Sequence, residues 1–425
     1  MLTVAYLANQ FPAAVEPYVS EEILGLRRRG VHVIPGSVRR KISSEKSSSN
    51  QLPGSSTLCL QPVRALILLR ALGLAVKRWR QISGLMARVL LRGKESPKLR
   101  LKALLHTWLG AYYAILLQDR RVDHIHVHHG YFGSWIAMVA ARLLGIRFSM
   151  TLHGSDLLLH GVYLDSKLEN CQACITISDY NRRYILDHFP GTDPRKIIVS
   201  RLGVDAPPAQ FPTRLASGPR RNFTLLAVGR LHAVKDHAFL VRACARLREK
   251  GLYLQCAIAG EGPERRRLEL LIRDNRLQSQ FRLLGHVASP AMDALYRDAD
   301  LVVLTSRSEG IPLVLMEAMV MGKIVLAPAI TGIPELVIPG KTGFLYEPGD
   351  LQDFIRRICF LQSLLQFKGH RVVDRLDWIR HAARVQVLRN FSRQKNLESF
   401  CDAFPNLIAS HDWSSCHENP VLQQI

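Results

Sequence analysis

Acidic residues are scarce in this chain: 35 Asp and Glu stand against 57 Lys and Arg, a net charge of +22. That imbalance predicts attraction to something anionic, whether nucleic acid, an acidic membrane face or a phosphorylated ligand. A second Cys-x-x-Cys is also missing, so Cys171 and Cys174 have no partners with which to complete a tetrahedral metal site. The eight cysteines follow no repeated spacing and read as reduced, mostly buried thiols. The uncharged run at 103–118 falls short of the ~20 apolar residues that a spanning helix needs, so no transmembrane helix is expected. The opening residues, Met1 to Ala8, carry neither a basic stretch nor a small-residue cleavage site. They read as a first buried strand, and the expectation is a cytoplasmic protein.

What is present is apolar bulk with an alternating rhythm. The 425 residues are 48% hydrophobic, enough to bury two cores, and two domains are the default. Short apolar runs at 2–7, 124–128, 148–152, 175–177 and 197–199 alternate with segments of helical period. The alternation predicts an α/β fold, a parallel sheet with helices on both faces. After a stretch rich in proline and small residues at 206–220 the pattern restarts, with strands expected at 223–228, 252–259, 281–284, 301–304 and 324–327. The expected organisation is a domain over 1–205, a linker over 206–220, a second domain over 221–385, and a 386–425 segment whose helix returns toward the first domain. Two doubly wound domains of this kind would face each other across a cleft at their strand carboxyl ends.

One segment breaks the rhythm. Between 63 and 102 the basic residues Arg64, Arg70, Lys77, Arg78, Arg80, Arg88, Arg92, Lys94, Lys98, Arg100 and Lys102 are opposed only by Glu95. On a single helix Leu68, Leu72, Trp79, Ile82, Met86 and Leu90 share one face, with Arg70, Lys77, Arg88 and Arg92 opposite. Two readings follow: a helix lying on an anionic bilayer, or a helix packed on the first domain with a solvated basic face.

The strongest chemical signal runs from Ser306 to Ala318, where a loop follows a buried strand and opens a helix. Gly310 permits close approach of a ligand to the backbone, and Pro312 is expected at an early helical position that tolerates a missing N–H. Free N–H groups at such a helix start attract anions. Glu309 stands at its mouth and Glu317 lies two turns further in. Carboxylates accept from paired hydroxyls, and a sugar nucleotide offers such pairs on both its hexose and its ribose. In Gly229-Arg230-Leu231-His232-Ala233-Val234-Lys235, directly after an expected strand, Arg230 and Lys235 are placed to meet a diphosphate. Cations fixed there would stabilise a departing nucleoside diphosphate more than the ground state. In the first half, Met150 to Asp156 ends a strand with His153 and Asp156 at its edge; His153 could bond a sugar hydroxyl, and Asp156 could orient the loop or the acceptor. His126, His128 and His129 read as metal ligands or as alternating positions on a strand.

These residues resemble the family-four retaining glycosyltransferases, whose fold is the two-Rossmann GT-B architecture. The resemblance rests on Gly229-Arg230 to Lys235, Glu309 to Glu317, Gly260-Glu261-Gly262-Pro263, Thr331-Gly332-Ile333-Pro334-Glu335 and Gly340-Lys341-Thr342-Gly343-Phe344, in that family's set. It implies that Arg230 and Lys235 bind the donor diphosphate, Glu309 the transferred sugar, Glu317 the ribose and His153 a sugar hydroxyl. Gly229, Gly310, Ile311, Pro312, Leu313 and Gly332 complete the implied donor site, and Glu16 joins Asp156 as an acceptor or loop-positioning residue. No metal or other cofactor is implied, and no side chain is assigned as a base. The chain departs from the family where paired glycines follow the first strand: it has Asn9-Gln10-Phe11-Pro12. Phe11-Pro12 with Glu16, Tyr18, Glu21-Glu22-Ile23 and Arg29-Gly30 is similar to the subgroup that builds bacterial exopolysaccharides such as colanic acid. A second departure is Thr331 in place of a glycine before Gly332.

The implied partners are a nucleotide-sugar donor, a glycan or lipid-linked acceptor and the inner, anionic face of the cytoplasmic membrane. The competing reading is a catalytically inactive membrane-associated scaffold, or a sugar-nucleotide-binding protein, that kept the fold. Nucleic acid is not expected as a partner, because the basic excess is concentrated in 63–102 without a recognition module.

Overall fold

The computed structural model describes residues 1–13, 16–39, 57–206, 223–367 and 369–409. Most of the expected linker, 206–220, and the end of the 386–425 segment lie outside the described residues. Two compact units are present: Met1–Arg201 with Lys395–Ile425, and Leu202–Gln394. No helix among the described residues is long and apolar enough to cross a membrane.

Unit 1 is built on β1 (Thr3–Gln10), β2 (His32–Arg39), β3 (Leu58–Cys59), β4 (His124–His128), β5 (Arg147–Leu152), β6 (Ala173–Thr176) and β7 (Ile197–Val199). Every pairing is parallel, in the order β3-β2-β1-β4-β5-β6-β7. Strand alternation divides β1 between two cores. Ala5 and Leu7 face the cluster built by the Pro97–Leu117 and Phe132–Leu144 helices, whereas Val4, Tyr6 and Ala8 join Val19, Ile23, Phe400 and Phe404 on the other face. Phe400 and Phe404 come from the Arg393–Ala409 helix, so that helix covers one face of the first sheet.

Unit 2 carries β8 (Phe223–Val228), β9 (Leu254–Ala259), β10 (Phe281–Gly285), β11 (Leu301–Val303), β12 (Ile324–Pro328) and β13 (Phe344–Tyr346). These are again parallel, in the order β10-β9-β8-β11-β12-β13. In both sheets the direction of strand addition reverses next to the first strand, at β1/β4 and at β8/β11. Open parallel sheets hold their ligands beyond the strand carboxyl ends at such a reversal. Leu202–Asp205 belongs with unit 2, where Val204 bridges Ser392 and Gly203 lies so close to Phe391 that a Cβ would meet its carbonyl oxygen at 2.4 Å.

The structure corrects the expectation for 63–102. A single helix is replaced by Ala65–Lys77 and Trp79–Leu90, which meet at Arg78. The break resets the phase, so the apolar positions do not form one stripe. Ile82, Leu85 and Val89 face the core, whereas Leu68, Leu72, Trp79 and Leu90 are exposed. Arg88 leaves the expected basic face: it lies half-buried between Glu95 and Asp165, 2.9 Å from each. Three strands, β2, β3 and β13, had no counterpart in the apolar runs. In β2 the interior Pro35-Gly36 reads as a turn, yet Gly36 is where Tyr113 and Leu7 press on the backbone, at 2.9 and 3.3 Å from a Cβ placed there.

Candidate active site

In unit 2 the loops after β8 and β11 meet. Thr305 Oγ1 donates to the Lys235 carbonyl at 2.9 Å, Arg307 N donates to the Val234 carbonyl at 2.8 Å, and the Arg307 guanidinium pairs with Asp236 at 2.7 Å. The result is that Lys235 Nζ donates to Glu309 Oε1 at 2.5 Å, with both side chains mostly buried. Arg230 is exposed on the same loop as Lys235, and no carboxylate pairs with it among the described residues.

The glycines of this region have steric causes. Gly260 has φ +154°, and a Cβ there would sit 2.0 Å from the Gly229 carbonyl oxygen, so Gly260-Glu261-Gly262-Pro263 serves as the floor of the Gly229–Leu231 loop. Leu231 N donates to the Glu261 carbonyl and Glu264 N to the Leu231 carbonyl, which fixes that floor. Gly332 lies beneath Gly310 in the same manner: a Cβ there would sit 2.4 Å from the Gly310 carbonyl oxygen. Thr331 has a role of its own beside it. Its hydroxyl donates to the Glu309 carbonyl at 2.6 Å and holds the loop that carries the acid.

The helix that follows runs over Leu313–Val320, with Pro312 at its cap in an extended conformation. Pro312 therefore stands one position ahead of the first turn expected for it, and Gly310, Ile311 and Leu313 flank it at the helix mouth. Glu317 is held by Tyr296, whose hydroxyl donates to Oε2 at 2.8 Å. Burial raises the Glu317 carboxyl above the usual range, against the opposing pull of that hydrogen bond and of Arg393.

Unit 1 has a site of different character at the ends of β1, β4 and β5. Asp156 is fully buried and acts as a hub, accepting from the backbone N–H groups of Gly130 at 2.8 Å, His153 at 3.0 Å and Gly154 at 2.8 Å. His129 sits in the left-handed region, with φ 73°, between Glu16 at 2.9 Å and Asp156 at 3.7 Å. Burial opposes its charge, but the two carboxylates prevail and raise the imidazole to about 9. Asp156 is correspondingly held below the usual carboxylate range: burial pushes it up, and the His129 hydrogen bond and charge more than reverse this.

His153 is the counterpart. Burial, reinforced by the neighbouring His129 and His128, keeps its ring neutral, well below the ordinary histidine value. Its Nε2 lies 3.1 Å from His128 Nδ1, and its Nδ1 is buried with no hydrogen-bond partner among the described residues. His128 Nε2 in turn lies 3.0 Å from Glu22 Oε2, which also accepts from the Tyr6 hydroxyl. Sequence reasoning met Glu22 only as part of a subgroup resemblance, without a role, and missed Tyr6 and Lys167. Lys167 is buried beneath the loop, donating to the carbonyls of Gly130 at 2.7 Å, Tyr131 at 3.1 Å and Val162 at 2.7 Å. Burial pushes its ammonium down to about 7.

Glu22, His126 and His128 bring potential metal-ligand atoms within 4.8 Å of one another. Hydrogen bonds already account for them: His126 Nδ1 meets Ser149 Oγ at 2.8 Å, His126 Nε2 meets Thr151 Oγ1 at 3.1 Å, and His128 engages Glu22 and His153. His129, whose side chain turns to Glu16, is outside this group.

Comparison with known proteins places a family on each unit. Residues 15–206 match the model of Glycosyltransferase Family 4, and residues 216–364 match that of Glycosyl transferases group 1. Over 210 residues the chain is 34% identical to a putative colanic acid biosynthesis glycosyltransferase, WcaL, of Salmonella typhimurium. That match spans 48% of this chain and 50% of the relative, about half the length of each. The fold is shared with sucrose-phosphate synthase from Thermosynechococcus elongatus, at TM-score 0.73 and 18% identity, covering 96% of this chain and all of that one. Anabaena HepE in complex with UDP-glucose superposes at TM-score 0.67 with 18% identity, over 96% of this chain and 100% of its own. On the GT-B fold common to these structures, the first parallel-sheet unit thus belongs with Glycosyltransferase Family 4 and the second with Glycosyl transferases group 1.

Proposed function

We propose that the chain is a retaining glycosyltransferase that moves a hexose from a nucleotide-diphosphate sugar, built on UDP or GDP, to a glycan or lipid-linked oligosaccharide acceptor. The process it serves is exopolysaccharide or other cell-surface polysaccharide assembly on the cytoplasmic side of the membrane. The observation that carries this reading is the pairing of Lys235 with Glu309 beside the exposed Arg230, at the β8/β11 reversal and the mouth of the Leu313–Val320 helix. A diphosphate entering there exchanges the Glu309 carboxylate for phosphate oxygens as the partner of Lys235, and Arg230 adds a second cation. Negative charge grows on the diphosphate as the glycosidic bond breaks, so these cations act most strongly on the transition state. Released from Lys235, Glu309 takes sugar hydroxyls. Glu317, already oriented by Tyr296, takes the ribose.

No side chain is assigned as nucleophile or base; the departing phosphate accepts the acceptor's proton on the face it leaves. The two side-chain cations do the work a divalent ion would do, and turnover is expected to persist in EDTA. The WcaL match supports a polysaccharide acceptor, and the UDP-glucose complex of HepE supports a nucleotide-sugar donor. The test is donor-dependent thermal stabilisation with UDP- and GDP-sugars, followed by transfer assays with Lys235→Ala and Glu309→Gln. Turnover like that of the wild type in both folded variants overturns the site.

The same proposal places the protein peripherally on an anionic bilayer. Leu66, Leu69 and Val76 of the Ala65–Lys77 helix and Leu91 after the Trp79–Leu90 helix are exposed, and Arg64, Arg70, Lys77, Arg80 and Arg92 are exposed among them. Each basic residue near such a surface contributes on the order of 1 kcal/mol. Flotation with vesicles containing anionic lipid, and not with neutral vesicles, is the expected result.

A further inference from the structure

Tyr6, Glu22, His128 and His153 are far apart in sequence and stand in one line of hydrogen bonds. The direction of that line follows from the chemistry of its first member. A carboxylate oxygen can only accept, so at the 3.0 Å contact His128 Nε2 must carry the proton and donate to Glu22. Tyr6 donates to the same oxygen and leaves it no other role. With Nε2 as its proton-bearing nitrogen, His128 turns the lone pair of Nδ1 toward His153. The His153 nitrogen 3.1 Å away, Nε2, must therefore be the protonated one. A neutral His153 with its proton on Nε2 has a lone pair on Nδ1.

His153 is kept neutral by its surroundings. His129 is a cation whose ring centre lies 4.6 Å from that of His153, and the His128 and His153 rings stack at 5.3 Å with 23° between their planes. A second buried imidazolium in that stack would face both desolvation and repulsion. His153 Nδ1 is the atom left over: buried, without a partner among the described residues, and next to the ring of Tyr18. A buried polar atom with no partner costs stability unless a ligand completes it.

We propose that Glu22 and His128 are positioning residues that fix His153 in its Nε2-protonated tautomer, so that Nδ1 is a dedicated acceptor for a substrate hydroxyl. This rests on the glycosyltransferase reading for the identity of the hydroxyl, which is a sugar's, but not for the tautomer. The relay converts the charge of Glu22 into a directional preference at His153 without placing a charge at the reacting sugar. It also separates His153 from proton transfer: in this tautomer Nδ1 receives a hydrogen bond and does not give one.

The experiment is nitrogen-15 NMR of the full chain labelled at histidine, with His153 assigned through His153→Gln. The expected wild-type spectrum shows His153 protonated at Nε2 and bare at Nδ1. Folded Glu22→Gln and His128→Gln variants are expected to show mixed tautomers at His153, and Tyr6→Phe to keep the wild-type pattern, because Tyr6 donates to Glu22 beside the relay. If Glu22→Gln fails to fold, His128→Gln and the wild-type spectrum decide. A wild-type His153 protonated at Nδ1, or a tautomer indifferent to both relay substitutions, overturns the proposal. In transfer assays Glu22→Gln is expected to lower kcat by about 10-fold or more while the donor KM changes little. The spectrum needs no substrate, so a correct tautomer in a protein without transferase activity overturns only the function, whereas a wrong tautomer overturns the relay whatever the activity.

Discussion

The sites at the strand ends of the two units use their charges differently. In unit 2 a lysine and a glutamate neutralise each other across two loops, with an arginine left exposed alongside. In unit 1 the charges are buried and committed: Asp156 to three backbone donors and His129, Glu22 to Tyr6 and His128. A reversible ion pair suits a ligand that brings its own charge and must displace one partner. A committed network suits a neutral ligand that must be met at a fixed angle, because the protein's dipoles are already in place before it arrives. By that criterion unit 2 is suited to the diphosphate and unit 1 to hydroxyls.

Lys235 is where this contrast is most vulnerable. Lys235→Ala or Glu309→Gln is expected to reduce kcat by about 10²–10³-fold, the loss typical of one transition-state donor, with the circular dichroism spectrum unchanged. Asp156→Asn tests the committed side. It removes a fully buried charge that serves three amides and a histidine, and should destabilise unit 1 by about 3 kcal/mol in denaturant unfolding. A destabilisation as small as that of a surface substitution would make Asp156 a second exchangeable charge and erase the contrast.

A pH series addresses the same point. His129 is raised from 6.5 to about 9, so its contribution is fully present below pH 6.5 and is lost as pH climbs through 9. The shift corresponds to roughly 3 kcal/mol. Lys167, lowered from 10.5 to about 7, acts with the opposite sign over pH 7 to 10. The difference between wild type and His129→Gln, followed from pH 6 to 9.5, therefore isolates the histidine and should shrink as pH rises. Smallest in its effect on the fold is the exposed patch. Replacing Leu66, Leu69 and Val76 with Ser should leave unfolding within about 0.5 kcal/mol per site while abolishing flotation with anionic vesicles.

The two sites also differ in how far they could be read from sequence. The unit 2 site is written in short segments, each spanning the turn from one strand into one helix, so Gly229 to Lys235 and Glu309 to Glu317 declare themselves. What those segments could not convey was that Lys235 and Glu309 would touch, since 74 positions separate them. In unit 1 His153 and Asp156 were legible as a strand end followed by glycine, but the relay behind them joins Glu22 to His128 across 106 positions. No local period reports such a contact. Glu22 sits on the Pro17–Arg28 helix, and nothing in the residues around it shows that the sheet will bring β4 beneath it. Even three-residue strands such as β7 and β11 were recovered where the run is aliphatic, whereas the signal was lost where a Pro-Gly pair interrupts β2 and where β3 and β13 offer only Leu58-Cys59 and Phe344-Leu345-Tyr346 beside turn residues.

The first sheet depends on the order in which the chain is made. Phe400, Phe404, Leu407 and Ile408 cover Val4, Tyr6 and Ile175, so one face of that sheet waits for a segment that is translated only after unit 2. A ribosome adding about 5–20 residues per second delivers all of unit 2 before that cover arrives. Unit 2, whose residues are contiguous from Leu202 to Gln394, can therefore finish folding before unit 1, although unit 1 begins first. A nascent chain halted near residue 392 would hold an apolar sheet face open to water, and such a product would be a chaperone client rather than a half-active enzyme.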